Sequence, residues 1–280
     1  MATQGTERST KWLVTAPPLA FLVLFFLAPA LIMVVASFRH PGEFGGLAPL
    51  VASRRGEEAG LTAENYRVFF GDWVYFEIFL KSFAVAALTT LLCLLLAYPL
   101  ALLIARSPRR HRDLMVLLCV LPFASNFLVR VYAWMIMLGP FELLFTPFAV
   151  IVAMVYVHLP FMVLPLYTNL EKHDPVLLDA AQDLGANGWQ RFWRVTFPLS
   201  LPGVFAGAAL VFIPVLGMFA IPEILGGIGD WLVGNMIKEA FLGVRDWPFG
   251  SMLSIMLTVC VLAIAGAAAW LARRGGPGHA

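Results

Sequence analysis

The sequence predicts an all-α polytopic membrane protein with six transmembrane helices, and three observations carry that prediction. The 280 residues are 60% hydrophobic and only 13% charged, about half the charge that keeps a soluble globule's surface wet. Six stretches are long and apolar enough to cross a hydrocarbon core, which takes about 20 residues of helix. None of them holds Asp or Glu, as segments solvated by lipid require.

In chain order the stretches are Leu13–Phe38, Phe79–Ile104, Leu114–Leu138, Phe148–Tyr167, Gly203–Pro222 and Ser251–Leu271. The first is too long for the apolar part of a secretory signal and no small-residue cleavage pattern follows it, so it reads as a retained span. Orientation follows from the basic residues. Arg8, Lys11, Arg106, Arg109, Arg110, Arg112, Lys172, Arg191, Arg194, Arg273 and Arg274 collect on one side. Arg39, Arg54, Arg55, Arg67, Lys238 and Arg245 lie on the other. Both termini are therefore expected in the cytoplasm. The chain divides into a tail (1–11), a first span (12–38), an outer loop (39–77), a five-helix core (78–272) interrupted by a cytoplasmic loop (171–200), and a tail (273–280).

Several functions are disfavoured. A net charge of +2 is too small to argue for nucleic acid. Cys93, Cys119 and Cys260 lie in apolar runs without CxxC spacing, so they propose neither a disulfide framework nor a metal site. No lysine follows a glycine, which rules out a P-loop and assigns any ATP chemistry to a partner. Spans without carboxylates argue against a proton-relay carrier. His158 has no acidic neighbour on its helix and reads as a bundle histidine bonded to a backbone carbonyl or hydroxyl rather than as a catalytic base.

The most informative stretch is the connection Glu171 to Pro202. Asp174 can cap a short helix with Pro175 at its first position, and Gly185 suits a left-handed stop. Leu177, Ala181 and Leu184 share a face, with Ala180 beside it. Asn187-Gly188 turns the chain into a second short helix, whose apolar face of Trp189, Phe192, Trp193 and Thr196 fits the membrane interface. Pro198 is expected to end that helix and Pro202 to open the next span.

Asp179-Ala180-Ala181, Gly185-Ala186 and Phe197-Pro198 resemble the signature loop of permease subunits of binding-protein-dependent ABC importers, which usually opens on Glu where this chain has Asp179. Leu61-Thr62-Ala63-Glu64-Asn65-Tyr66, Ala97-Tyr98-Pro99, Leu128-Val129-Arg130-Val131-Tyr132-Ala133-Trp134, Leu159-Pro160-Phe161-Met162 and Arg245-Asp246-Trp247-Pro248-Phe249-Gly250 are similar to the spermidine/putrescine permeases. The likeness runs from about Leu61 to Arg274. The short Gly139–Pro147 connection, His158 and the Gly-rich His40–Gly60 segment depart from it.

The resemblance implies a type I ABC importer permease fold in the bacterial inner membrane, and a transport subunit rather than an enzyme. Its implied partners are two ATPase subunits holding ATP and Mg, a second homologous permease, a substrate-binding protein, membrane lipid and a polyamine substrate, with no cofactor or metal in this chain. Leu177, Asp179, Ala180, Ala181, Asp183, Leu184, Gly185, Ala186 and Pro198 would then form the ATPase-coupling surface. Small Ala180 and Ala181 would allow close approach, and Asp179 or Asp183 would pair with a basic group. Another small solute, such as an amino-acid derivative or an organophosphonate, and a gradient-driven carrier stand as alternatives.

For the substrate path, Pro214 frees the Leu210 carbonyl inside the fifth span, and Met218 and Phe219 suit an apolar gate. A kinked packing helix is the plainer reading. Tyr132, Trp134 and Glu223 offer the carboxylate and aromatic faces that a polyamine needs. Asp230, Trp231, Asp246 and Trp247 would line a vestibule or anchor at the interface. Arg130 is expected to snorkel or to pair with an acid such as Glu142.

Overall fold

The computed structural model describes residues 15–51 and 59–275, with side chains to residue 267. The predicted tail 1–11, the start of the first span at Leu13, Arg54, Arg55, Glu57, Glu58 and residues 276–280 of the last tail lie outside the described residues. The described residues are mainly helical, with two isolated bridges, and form two compact units, one of those up to residue 73 with those from 236 on, the other of residues 74–235.

In the first unit, α1 (Thr15–Ser37) runs alongside α11 (Trp247–Gly275), and α2 (Glu64–Gly71) also packs on α11. Part of the predicted outer loop is thus a helix. Asn65 of α2 donates to the carbonyls of Ser37 and Arg39 at 3.0 and 3.2 Å, and the Tyr66 ring stacks on Phe38 at 4.9 Å. These bonds satisfy backbone groups freed where α1 ends. The Gly-rich turn closes on Gly45 and Gly46, both at positive φ, and the Gly46 N–H donates to the Arg245 carbonyl at 2.8 Å. A Cβ on Gly45 would lie 2.6 Å from that of Arg245, so glycine is required there.

The second unit centres on three long helices. α3 (Trp73–Arg106) begins earlier than the predicted span and takes in Glu77. α6 (Pro147–Leu170) matches its prediction closely. α8 (Gly188–Leu216) packs along α6 in the most extensive seam of this unit. Small residues permit that approach: a Cβ on Gly203 would meet the Asn169 Cβ at 2.7 Å, and one on Gly207 would meet the Met162 Sδ at 2.7 Å. Close backbone approach through small residues is how helices associate where lipid removes the hydrophobic drive. On the α3 side, Thr89 and Cys93 face Met154 Sδ and the Val155 carbonyl, and Tyr98 Oη shares a 2.8 Å hydrogen bond with Ser200 Oγ of α8.

Two predicted spans are corrected. The third is not one helix: α4 (Arg109–Val120) passes through a 3₁₀ turn (Leu121–Ala124), breaks, and resumes as α5 (Phe127–Leu138) at 91°. Ser125 is extended there and the Asn126 side chain caps α5 by accepting from the Leu128 N–H at 2.8 Å, so local chemistry ends one helix and starts another within an apolar run.

The fifth span is displaced. α8 begins at Gly188 and continues through Pro198 and Pro202, absorbing the predicted second short helix. A π turn at Phe192–Thr196 shifts the hydrogen-bond register just before Pro198, so the missing proline N–H falls where the ladder is already changing. The helix stops at Leu216, and Pro222 belongs to a separate helix, α9 (Ala220–Leu225). The gap at Gly217–Phe219 is filled by the start of α10 (Val233–Lys238). Gly234 lies so close that its Cβ would meet the Gly217 and Met218 carbonyl oxygens at 2.6 and 2.8 Å, and the Asn235 side chain donates to the Phe219 carbonyl at 3.0 Å.

Candidate functional site

The elbow joining α6 to α8 is assembled by local bonds. After Leu170, the Asp174 carboxylate accepts from the Val176 N–H at 3.0 Å, and Pro175 opens α7 (Pro175–Asp183) where a missing N–H loses no helical bond. The stop is left-handed: Gly185 adopts φ +83°, and the Gly185 and Ala186 N–H groups reach back to the Gln182 and Ala181 carbonyls at 2.8 and 3.0 Å. Asn187 then opens α8 with a reciprocal capping box with Gln190, at 2.9 and 3.0 Å. Arg191 clips the two helices together by donating to Gln182 Oε1 at 2.6 Å.

Local bonds hold α7 in shape, not burial, since none of its residues is buried. Leu184, just past its end, is 89% exposed. Leu177, Asp179, Ala180, Asp183 and Gly185 are exposed and Ala181 and Ala186 partly covered, so these residues form one open surface around α7. Pro198 is also exposed but stands apart, on α8 beyond the π turn. Beneath the elbow, Phe192 meets Tyr98 edge-on at 5.4 Å, and Trp193 contacts Trp189 and Phe197 at 5.6 and 5.0 Å. An aromatic floor of this kind ties the root of α8 to α3.

Charge counting alone missed one feature of the elbow. Arg112 Nη1, at the start of α4, donates to Glu171 Oε1 at 2.5 Å. A hydrogen bond from Tyr167, together with Arg112, holds the Glu171 carboxyl below the usual carboxylate range despite partial desolvation. The only signal in the sequence was that both charges flank span ends expected on the same side.

The second predicted group lies at the other end of α6. Trp134 of α5 meets Tyr156 of α6 edge-on at 5.6 Å, and α9, which carries Glu223, packs on both helices. Tyr132 and Glu223 are exposed, as is Pro214 on α8, while Phe219 and Met218 occupy the clasped helix break. The structure therefore packs the helix that carries Glu223 against the one that carries Trp134 and sets Pro214 apart on α8. Arg130 does not pair with Glu142; its guanidinium lies 5.4 Å from the centre of the Phe123 ring. Asp230 is engaged by Lys81 at 3.3 Å and by the Gly227 N–H at 3.0 Å, and Asp246 caps α11 through the Phe249 N–H. His158 is buried with Nδ1 2.8 Å from the Met154 carbonyl, the backbone-bonded histidine read from the sequence.

Long apolar helices packed through glycines, interrupted by an exposed, capped helix, define a polytopic helical membrane protein. Residues 60–275 match the binding-protein-dependent transport system inner membrane component family, and the chain belongs to that family. It is 40% identical over 258 residues to the spermidine/putrescine transport system permease protein PotB of Escherichia coli (strain K12), covering 85% of this chain and 89% of that protein. The PotB protein of Haemophilus influenzae is 40% identical over 259 residues, covering 86% of each. Among solved structures, a bacterial ABC transporter that imports the acidic polysaccharide alginate superposes with a TM-score of 0.67 at 17% identity, over 97% of this chain and 99% of that one. At that identity the likeness establishes the fold, that of an ABC importer permease. The family match and the near full-length likeness to PotB make the chain a permease subunit of an ABC importer.

Proposed function

We propose that this chain is the permease of an ATP-driven polyamine importer, driven by a partner ATPase that grips α7. The exposed elbow carries the reading: a helix with small residues on its open face, fixed by caps at both ends, stands between the packed spans α6 and α8. It can enter a cleft of a second protein and pass that protein's movement to both spans as rigid bodies. Two ATPase subunits would supply ATP and Mg. A second permease would complete the path, and a binding protein would deliver the solute. The excess of Arg and Lys in the sequence on the elbow side supports a cytoplasmic position for that side and for both termini.

Spermidine and putrescine are the substrates this reading favours, because the near full-length relatives carry those names and because the helix of Glu223 packs on the helix of Trp134. A carboxylate and an aromatic face suit an ammonium group and its methylene stem.

The test is uptake by the assembled transporter in proteoliposomes. Wild-type complexes take up labelled spermidine only with ATP inside the compartment that holds the ATPase. Gly185→Asp or Ala181→Arg inserts normally and continues to hydrolyse ATP, while uptake falls at least about tenfold, as loss of a central interface contact does. Unchanged uptake in both variants would remove the elbow assignment. Glu223→Gln is expected to raise the spermidine concentration needed for half-maximal uptake about tenfold, the loss of one charge-assisted contact; a wild-type value would remove Glu223 from the path.

A further inference from the structure

The elbow is continuous with α6 and α8, so displacing α7 moves those two helices through the chain itself. α4 is farther along the chain, reached from the elbow only by way of α6 and α5. One side chain bridges the gap. Arg112 stands in the first turn of α4, with its side chain 19% exposed. Its Nη1 donates to Glu171 Oε1 at 2.5 Å, and its Nη2 donates to the Ala105 carbonyl at 2.9 Å and the Ser107 carbonyl at 3.4 Å. Glu171 immediately follows α6, and Ala105 lies in the last turn of α3. A single guanidinium therefore fastens the end of α3, the start of α4 and the root of the elbow.

Arginine suits this position, because its planar fork presents several donors in fixed directions while a lysine ammonium is a single point charge. A cavity of about 380 Å³ adjoins the clamp, lined by Arg112, Glu171, Asp174, Leu177, Thr196 and Leu199. Pro175, Leu177 and Leu178 of α7 line this cavity, so this side of the helix faces open space. Beyond its 3₁₀ turn, α4 ends at the break where the chain turns by 91°.

We propose that Arg112 is a positioning residue for energy coupling, passing displacement of the elbow to α4 and so to the bend at Ser125-Asn126. This rests on the reading of α7 as the ATPase contact. The clamp carries motion directly to α4, which the chain reaches from the elbow only by way of α6 and α5, so that the third span moves in step with α6 and α8.

The experiment compares wild type, Arg112→Gln, Arg112→Lys and Ala181→Arg in the full transporter, reading spermidine uptake per ATP hydrolysed. Arg112→Gln keeps ATP hydrolysis within about twofold and lowers the ratio at least about fivefold, the range of coupling between residues in one hydrogen-bond network. Arg112→Lys falls between. Pairing Arg112→Glu with Glu171→Arg restores part of the ratio by re-forming the ion pair in reverse. Spin labels at Ser125→Cys and Phe148→Cys, in a transporter whose Cys93, Cys119 and Cys260 are replaced, read the position of the bend relative to α6. ATP leaves their separation nearly constant in the wild-type background, where the two elements move in step, and changes it with Arg112→Gln. A wild-type ratio in Arg112→Gln, or in Arg112→Lys if the Gln variant does not assemble, would overturn the proposal, as would an unaltered spin-label response. Ala181→Arg separates the two ideas. If it uncouples while the Arg112 variants do not, the elbow reading stands and the clamp falls; if neither uncouples, both fall.

Discussion

α1 and α6 are similar in composition and opposite in surroundings. Each is a long apolar helix, and the most apolar part of α1 is 6% buried against 61% for α6. Hydrophobicity therefore does not distinguish a helix that neighbours cover from one that they leave open. What separates them is the partner. α6 faces Gly203 and Gly207 of α8, where two backbones approach within a side-chain radius. α1 carries Leu24, Phe25 and Phe26, all more than half exposed, and no glycine between Thr15 and Ser37. Apolar content decides that both helices belong in lipid, and small residues decide which one is packed.

Substitutions sharpen that contrast, beginning with the largest effect. Gly207→Val places its Cβ against Met162 Sδ and the Met162 carbonyl, and the seam has to open. Destabilisation of about 3 kcal/mol is expected, read as a fall in the melting temperature of the purified chain in detergent. His158→Leu tests a polar group inside the same helix. It removes the ring together with its bond to the Met154 carbonyl, and that carbonyl already accepts within the helix, so the change stays below about 1 kcal/mol. Leu24→Ala on α1 has the smallest effect, within about 0.5 kcal/mol, because an open position leaves no cavity behind. A Leu24→Ala loss as large as that of Gly207→Val would break the comparison.

The same contrast explains how much of the molecule was legible in the sequence. Apolar runs located α6 almost to the residue, predicted at Phe148–Tyr167 and found at Pro147–Leu170. The elbow was legible because caps are local chemistry: Asp174, Pro175, Gly185 and Asn187 each act within a few residues of themselves. The broken third span was not, because a hydropathy window averages across Ser125-Asn126, although that pair is ordinary punctuation. Pro198 and Pro202 misled for a related reason. A proline forbids one backbone bond, and whether the helix ends there depends on a π turn that no residue pattern announced. The Arg112–Glu171 pair joins residues 59 apart and comes from packing alone.

The uninterrupted course of α8 has a geometric consequence. Its 29 residues make a rod roughly 43 Å long at 1.5 Å per residue, so a tilt of about 10° at the Gly188 end sweeps the Gly217 end through roughly 7 Å. The two prolines that seemed to divide it leave it one needle, and a small push at its base becomes a displacement wider than a methylene chain at the Met218-Phe219 tip.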